Sequence, residues 1–153
     1  MNDLLGIKAQ LCNKVKEILD KKILVLNELL LSAKESRDSD SKSSVGDKYE
    51  TSRAMMHIEI GKNEAQLANM VKLKNEISKI DINATSEQVG FGSVVVTNKG
   101  KYFISVAIGK VLVGSSEYYS ISLISPIGKV LSGMKIGESR KFNNQEIQIK
   151  NII

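Results

Sequence analysis

Two long stretches with helical spacing of their apolar residues, separated by one polar segment, restrict the fold of this sequence more than any other feature. In residues 3–34 apolar side chains recur about every 3.5 positions, and in residues 48–80 they step by fours and threes. Neither stretch contains proline. The spacing predicts two long α-helices paired as an antiparallel coiled-coil hairpin over residues 1–80, with its tip near 36–47. The seam would contain Leu4, Ile7, Leu11, Val15, Ile18, Val25, Leu26 and Leu29 from the first helix, and Met56, Ile60, Asn63, Leu67, Met70, Lys74 and Ile77 from the second.

The polar segment between the helices reads ESRDSDSKSSVGDKYETS over residues 35–52, and Val45 is its only large aliphatic residue. Such a segment is either a solvated turn or a functional tip at the end of the hairpin. Asp47, with Glu50 three residues later, fits a capping box at the start of the second helix. Asp38 and Asp40 fit either ordinary solvated charges or acidic groups of a functional tip.

The hydrophobic pattern changes after Ile80. Residues 81–90 are polar and are interpreted as a linker, and from residue 91 the period becomes two or irregular. GSVVVTNKGKYFISVAI predicts two strands joined at TNKGK, KVLVGSSEYYSIS a further strand, and ESRKFNNQEIQIKNII a closing hairpin around NNQ. Between them, Ser125 suits an N-cap, Pro126 the first helical position and Gly133 the C-terminal cap of one short helix. The expected fold is α+β: the hairpin, a linker, and an antiparallel sheet domain with one short helix over residues 91–153.

Charge and cysteine content limit the class of protein. The formal net charge of +5 is too small a surplus to indicate nucleic-acid binding by itself. Cys12 is the single cysteine, so no internal disulfide can form, and a reducing compartment fits. Residues 1–22 mix acids and bases without a long apolar run, which predicts neither a signal peptide nor a membrane span. We therefore expect a cytoplasmic protein that does not associate with membranes; its oligomeric state stays open.

An ordered set of residues in the second half carries a family resemblance. FGSVVV opens the region, ISPIGKVLSGMKIGES follows about thirty residues later, and a terminal strand ends in IKNII. The set resembles the C-terminal domain of the bacterial Gre transcript-cleavage factors, clearly over residues 90–153 and more loosely over 45–68. In that family the pattern is S-P-(I/L)-(G/A)-x-x-L-x-G-x-x-x-G-(D/E). It is matched here by Ser125, Pro126, Ile127, Gly128, Leu131, Gly133, Gly137 and Glu138.

The resemblance implies a regulator of RNA polymerase. A C-terminal domain like the FK506-binding proteins docks at the rim of the polymerase secondary channel, and the hairpin enters the channel. Two acidic residues at the tip then help hold a second Mg²⁺, and the polymerase cleaves its own backtracked RNA. Contact with RNA or DNA of the elongation complex is also implied. On this reading the docking residues are Ser125, Pro126, Ile127, Gly128, Lys129, Gly133 and Gly137.

The tip departs from the family pattern G-D-L-x-E-N-x-E-Y. With Tyr49 as the anchor and no gaps, the metal-binding Asp falls on Lys42 and the Glu on Val45. Neither side chain can bind Mg²⁺, which prefers carboxylate oxygens. We therefore expect weak or absent cleavage stimulation, no stably bound cofactor and no enzymatic activity of the chain alone. The alternative is that Asp40 and Asp47 act as shifted ligands to an Mg²⁺ shared with the polymerase.

Two other functions fit parts of the sequence. The fold of the second domain suggests a peptidyl-prolyl isomerase. Such enzymes line their pocket with several aromatic residues including a Trp, whereas this chain has 5% aromatic residues and no Trp. The second of these functions is that of a structural coiled-coil adaptor.

His57, the only histidine, is expected on the surface of the second helix. Phe103, Tyr118 and Tyr119 suggest base stacking, but strand alternation accounts for them as core and surface residues.

Overall fold

The computed structural model describes residues 2–40 and 46–153, with side chains for 6–38 and 50–153. The chain is α+β, as predicted: a long helical hairpin precedes a mostly antiparallel sheet with one short helix. Within the described residues, no helix is both long and apolar enough to cross a membrane. The elements are α1 (Asn2–Asp40), α2 (Gly46–Ile77), β1 (Val94–Thr97), β2 (Lys101–Ile104), β3 (Gly109–Val113), β4 (Ser116–Ile121), α3 (Pro126–Leu131), β5 (Ser139–Phe142) and β6 (Gln145–Ile152).

The apolar stripe predicted on the second helix is the buried side of α2. Ile60 and Ile77 are buried. The other five predicted positions are half-buried: Met56, Asn63, Leu67, Met70 and Lys74. Ion pairs between Lys34 and Glu64 (3.6 Å) and between Asp20 and Lys74 (2.6 Å) join the two helices in antiparallel order. The side chains of these pairs remain largely accessible to solvent, and such pairs add little stability, so burial in the seam holds the hairpin together.

On α1 the predicted seam is only partly right. Val25 and Leu29 are 52% and 50% exposed, so their assignment to the seam is wrong. The seven-residue spacing that selected Val25 drifts by about 20° per heptad around a straight helix, which rotates later members away from the partner. Ile7 and Ile18 are half-buried, and the side chain of Leu4 lies outside those described. The buried positions are Leu11, Val15, Leu19, Leu26 and Leu30.

The strands form one six-stranded sheet in the order β3-β4-β2-β1-β6-β5. The KVLVGSSEYYSIS segment, expected as one strand, is the β3–β4 hairpin, with Gly114 at a φ of 61° in its turn. The sheet is also not wholly antiparallel, because β2 and β4 run parallel, with Tyr102 beside Tyr119. The closing hairpin turns at Asn143 and Asn144, whose φ angles of 51° and 62° match the two-residue type I′ turn that such hairpins prefer.

Both faces of the sheet are covered. Adjacent strand residues point to opposite faces, yet Val94 and Val95 are both 0% exposed. One face packs against α3 in a cluster that includes Val95, Leu131 and Met134. On the other face Phe103 and Tyr118 are buried. Residues from the early turns of α1 and from the end of β3 line one cavity.

Contacts divide the chain into two compact units, and the division falls within both long helices. The sheet unit contains Met1–Glu17 with Asn75–Ile153, and the hairpin unit contains Ile18–Lys74. Within the sheet unit, Lys8 is 3% exposed and donates a hydrogen bond of 2.8 Å to the Ala84 carbonyl oxygen. Burial lowers the pKa of Lys8, and the nearby Cys12 and Asp81 partly offset this.

Candidate functional site

The short helix α3 begins as its sequence predicts. Ser125 is the N-cap, and its hydroxyl accepts a hydrogen bond from the Gly128 backbone N–H (3.0 Å). The same hydroxyl donates to the Ser122 carbonyl oxygen at 2.7 Å, which closes a tight turn before the helix. Pro126 occupies the first helical position, where its missing N–H costs nothing. Ser125 and Pro126 therefore fix where α3 starts.

The C-terminal end of α3 uses a glycine and an arginine. Ser132 is the C-cap, and Gly133, predicted as the cap, is the next residue, with a φ of 78°. The Gly133 N–H donates to the Val89 carbonyl oxygen at 2.9 Å. Arg140 donates from Nη1 to the Val130 and Ser132 carbonyl oxygens at 2.7 and 3.0 Å. Sequence reasoning missed Arg140; a basic residue shortly after a helix end, able to reach its free carbonyls, was the available signal.

Most of the predicted docking residues thus have roles in the backbone. Gly128 is buried, and a Cβ there would lie 2.0 Å from the Ser122 carbonyl oxygen. Gly137 has a φ of 89°, and its N–H donates to the Ile149 carbonyl oxygen at 2.8 Å. Ile127 is half-buried against the core. Of the seven predicted docking residues, Lys129 is exposed and has no such role, and Pro126 starts the helix but leaves its ring exposed.

Two exposed apolar residues flank this helix. Ile124, directly before the N-cap, is 81% exposed, and Ile136, after α3, is 58% exposed. The exposure of these two residues was not predicted, because both lie outside the helices and strands, whose periodicity allows burial to be predicted from sequence. We call Ile124, Pro126, Lys129 and Ile136 the α3 surface. Exposed large apolar side chains beside a charge are typical of protein-contact surfaces.

The tip of the hairpin lies between the end of α1 at Asp40 and the start of α2 at Gly46. Asp38 lies 3.3 Å from Arg37 Nε, and Glu50 is exposed. Lys42 and Val45 lie outside the described residues, as do the side chains of Asp40 and Asp47. Among the side chains that are described, no group of three or more His, Cys, Asp or Glu could hold a metal ion.

The start of α2 differs from the predicted capping box. The helix begins at Gly46, so Asp47 is its second residue and not its N-cap. Asp47 therefore lies in the first turn of α2, where a negative charge is favourable near the positive end of the helix dipole. Glu50 follows one turn into the helix. The helix therefore starts two residues earlier than predicted.

The remaining predicted residues are found where the residue patterns place them. His57 is exposed on α2. Cys12 is buried in α1, and burial raises the pKa of its thiol. Phe103 and Tyr118 are buried in the sheet unit, whereas Tyr119 is 41% exposed. Strand alternation therefore accounts for these three rings, as expected, and excludes Phe103 and Tyr118 from base stacking.

Comparison with known proteins gives a likeness to solved structures alone. No protein-family model matches the chain, and no curated protein matches it. The chain is similar to the structure of the transcription factor Gfh1, with 22% identity and a TM-score of 0.38 over 91% of this chain and 93% of that one. It is also similar to Gfh1 of Thermus aquaticus, with 24% identity and a TM-score of 0.35 over 92% and 94% of the two chains. Nothing about the function of this chain follows from likenesses at this level.

Proposed function

We propose that this chain is a transcription regulator that binds RNA polymerase. It docks through the α3 surface and presents the hairpin tip in the secondary channel of the enzyme. The observation that carries the proposal is the ordered set from Ser125 to Glu138, which resembles the polymerase-docking domain of the Gre factors. The paired helices of the hairpin support it, because entry into a narrow channel requires a long, slender element with a tip.

The chemistry of the α3 surface supports docking through this segment. Pro126 and Lys129 are three positions apart in α3 and therefore lie on one side of the helix. Ile124 precedes them and is almost fully exposed to solvent. An apolar side chain in that position gains free energy when a partner covers it, and Lys129 adds a charge that selects an acidic partner surface.

The tip sequence supports regulation by occupancy of the channel and not by metal chemistry. Lys42 and Val45 stand where the resembled family has carboxylates. An ammonium group near catalytic Mg²⁺ ions is repelled by them, and a valine offers no ligand. We therefore propose weak or absent stimulation of transcript cleavage. If Asp40 and Asp47 act as shifted ligands, their carboxylates would supply the oxygens that Mg²⁺ prefers.

Docking is tested by competition for purified bacterial RNA polymerase with the full chain. Ile124→Glu should weaken binding by at least about tenfold, because it places a charge at the centre of the proposed contact. Leu112→Glu is the matched control: Leu112 is also an exposed apolar residue of the sheet unit, 51% exposed, but lies on β3 at the sheet edge opposite β5. Equal effects of the two variants, or no binding by the wild type, would refute docking through the α3 surface.

The role of the tip is tested by transcript cleavage in stalled, backtracked complexes. The wild type should bind without accelerating cleavage. Lys42→Asp combined with Val45→Glu restores the family pattern and should add cleavage. If the wild type does cleave, Asp40→Asn with Asp47→Asn should abolish it while binding is kept. Strong wild-type cleavage that survives both Asn changes would refute this account of the tip.

A further inference from the structure

A cleft at one end of the sheet has a lining that the proposed function does not use. It measures about 290 Å³ and is lined by residues from the β1–β2 turn, β2 and the β5–β6 hairpin. That volume is close to the lower end of the range of small-molecule sites, roughly 300 Å³. We call it the aromatic cleft; its lining residues are Lys99, Tyr102, Phe142, Asn143, Gln145 and Ile147.

The rings of the aromatic cleft are held in place by the core beneath them. Ile147 is 3% exposed and belongs to the cluster around α3. Tyr102 and Phe142 are half-buried and pack against that same cluster. A ring fixed on one side by core packing and open on the other presents a rigid apolar face to a ligand, which lowers the entropy cost of binding.

The rim of the cleft is equally fixed. Asn98 donates from Nδ2 to the Glu146 carbonyl oxygen (3.1 Å) and accepts from the Gln148 N–H (2.9 Å), which ties the β1–β2 turn to β6. In the same turn the Thr97 hydroxyl accepts from the Lys99 N–H at 3.0 Å. These bonds hold the backbone that carries Lys99. On the opposite rim, Asn143 lies in the type I′ turn of the β5–β6 hairpin.

The chemistry of the lining is selective. Tyr102 and Phe142 supply ring faces, and the exposed Tyr119 lies beside Tyr102 with ring centroids 6.1 Å apart. Asn143 and Gln145 supply amide donors and acceptors, and Lys99 supplies a positive charge. No acidic side chain is among the lining residues. Flat faces for stacking, amides for hydrogen bonds to a base edge and a cation for a phosphate are the groups that recognise unpaired nucleotides.

We propose that the aromatic cleft binds a nucleobase that carries a phosphate, either as a free nucleotide or as one residue of single-stranded RNA. The base stacks on Tyr102 or Phe142, its edge meets the amides of Asn143 and Gln145, and the phosphate lies toward Lys99. The site does not depend on the α3 surface or on the hairpin tip. It therefore holds whether or not the chain binds RNA polymerase.

The test is a titration of the full chain followed by amide resonances in NMR. The probes are uridine and adenosine monophosphate, a short oligouridylate, inorganic phosphate and a proline-containing peptide. A nucleotide or the oligouridylate should shift the resonances of Lys99, Tyr102, Asn143 and Gln145 to saturation. Similar affinity for the mononucleotide and the oligouridylate would assign a free nucleotide as the ligand, and tighter binding of the oligouridylate would assign a strand.

Variants separate the contributions of stacking and charge. Phe142→Leu keeps the apolar volume but removes a ring face, and should weaken binding by about fivefold or more. Lys99→Gln, in an exposed turn, should weaken nucleotide binding and leave the fold intact. Lys141→Gln is the matched control, because Lys141 precedes Phe142 on β5 and points to the other side of the strand.

Three results would overturn the proposal. One is the absence of saturable shifts at the cleft with every nucleotide probe. Another is the same shifts with inorganic phosphate alone or with the proline peptide, which would make the base irrelevant. The third is unchanged affinity in Lys99→Gln. That variant keeps the proposal testable if Phe142→Leu fails to fold.

Discussion

Replacing Gly128 with alanine tests how closely the turn before α3 is packed. A Cβ at this position would lie 2.0 Å from the Ser122 carbonyl oxygen and 3.0 Å from Leu123 Cα. Both are backbone atoms, so no change of rotamer can remove the clash. The requirement for glycine therefore comes from the 122–125 turn.

The expected cost is about 3 kcal/mol in the free energy of unfolding, at the upper end of the range for overpacked interiors. The Ser122 oxygen has to move by at least 1 Å to reach 3.0 Å, below which real Cβ contacts are essentially absent. That movement disturbs the Ser125 hydroxyl, which donates to this oxygen and caps the Gly128 N–H. Loss of an N-cap alone costs about 1 kcal/mol.

Gly61→Ala is the matched control because it makes the same chemical change with the opposite expected sign. Gly61 lies in the interior of α2, and a Cβ there would meet nothing within 4 Å. Alanine at an exposed helical position is favoured over glycine by about 1 kcal/mol, so this variant should be more stable than the wild type.

Urea denaturation measures both variants. Far-ultraviolet circular dichroism follows the helices, and the near-ultraviolet tyrosine signal follows the sheet unit, which contains Tyr102, Tyr118 and Tyr119. Gly128→Ala should lower the midpoint of the sheet transition with an unchanged slope. A loss of less than about 1 kcal/mol would show that the turn accommodates a Cβ, and the account of Gly128 would be wrong.

Three further predictions follow from burial. Ile60→Asp should lower the free energy of unfolding by about 3 kcal/mol or more in urea denaturation, because it buries an unpaired carboxylate. Ile58→Asp, at a site 62% exposed, should change it by less than about 0.5 kcal/mol; equal losses would contradict the seam. Because burial lowers the pKa of Lys8, the unfolded chain holds this proton to higher pH, so stability should rise with pH from the folded pKa toward about 10.4. Lys8→Met should lack that rise. If the difference in free energy of unfolding between the wild type and this variant does not change with pH, the prediction for Lys8 is wrong. Cys12 should react with a thiol reagent more slowly in the folded chain than in urea, since it is buried and its thiol pKa is raised; equal rates would show that it is accessible.

The second helix shows what the sequence can predict. Every position of its predicted stripe, from Met56 to Ile77, is buried or half-buried. That stripe alternates steps of four and three, an average of 3.5 residues, and so repeats every seven residues. The stripe chosen on α1 used the same repeat and included both Val25 and Leu26, of which only Leu26 is buried. The buried positions of α1 step by four from Leu11 to Val15 and Leu19, so a seven-residue repeat predicts the buried side of α2 but not that of α1.

The sheet shows where local reasoning ends. The cap at Ser125 and the turn at Asn143 depend on a few neighbouring residues, and both were predicted from them. The parallel pairing of β2 with β4 depends on which distant segments meet, and no local pattern encodes it. The exposure of Ile124 also depends on distant segments, because no other part of the described chain packs over it. Burial in the middle of a strand can be predicted from sequence, whereas burial at a loop requires the structure.

The place of α1 in the fold has a consequence for how the chain matures on the ribosome. The early turns of α1, up to Glu17, belong to the sheet unit, whose other residues begin at Asn75. The hairpin unit, Ile18–Lys74, lies between these two parts of the sequence. Its two helices can therefore pair before any strand has been synthesised. The sheet cannot close until β6 emerges, because β6 lies between β1 and β5. Val94 and Val95, which are fully buried in the finished sheet, therefore lack part of their cover until the last residues are made, and this is the interval in which a chaperone has apolar residues to bind.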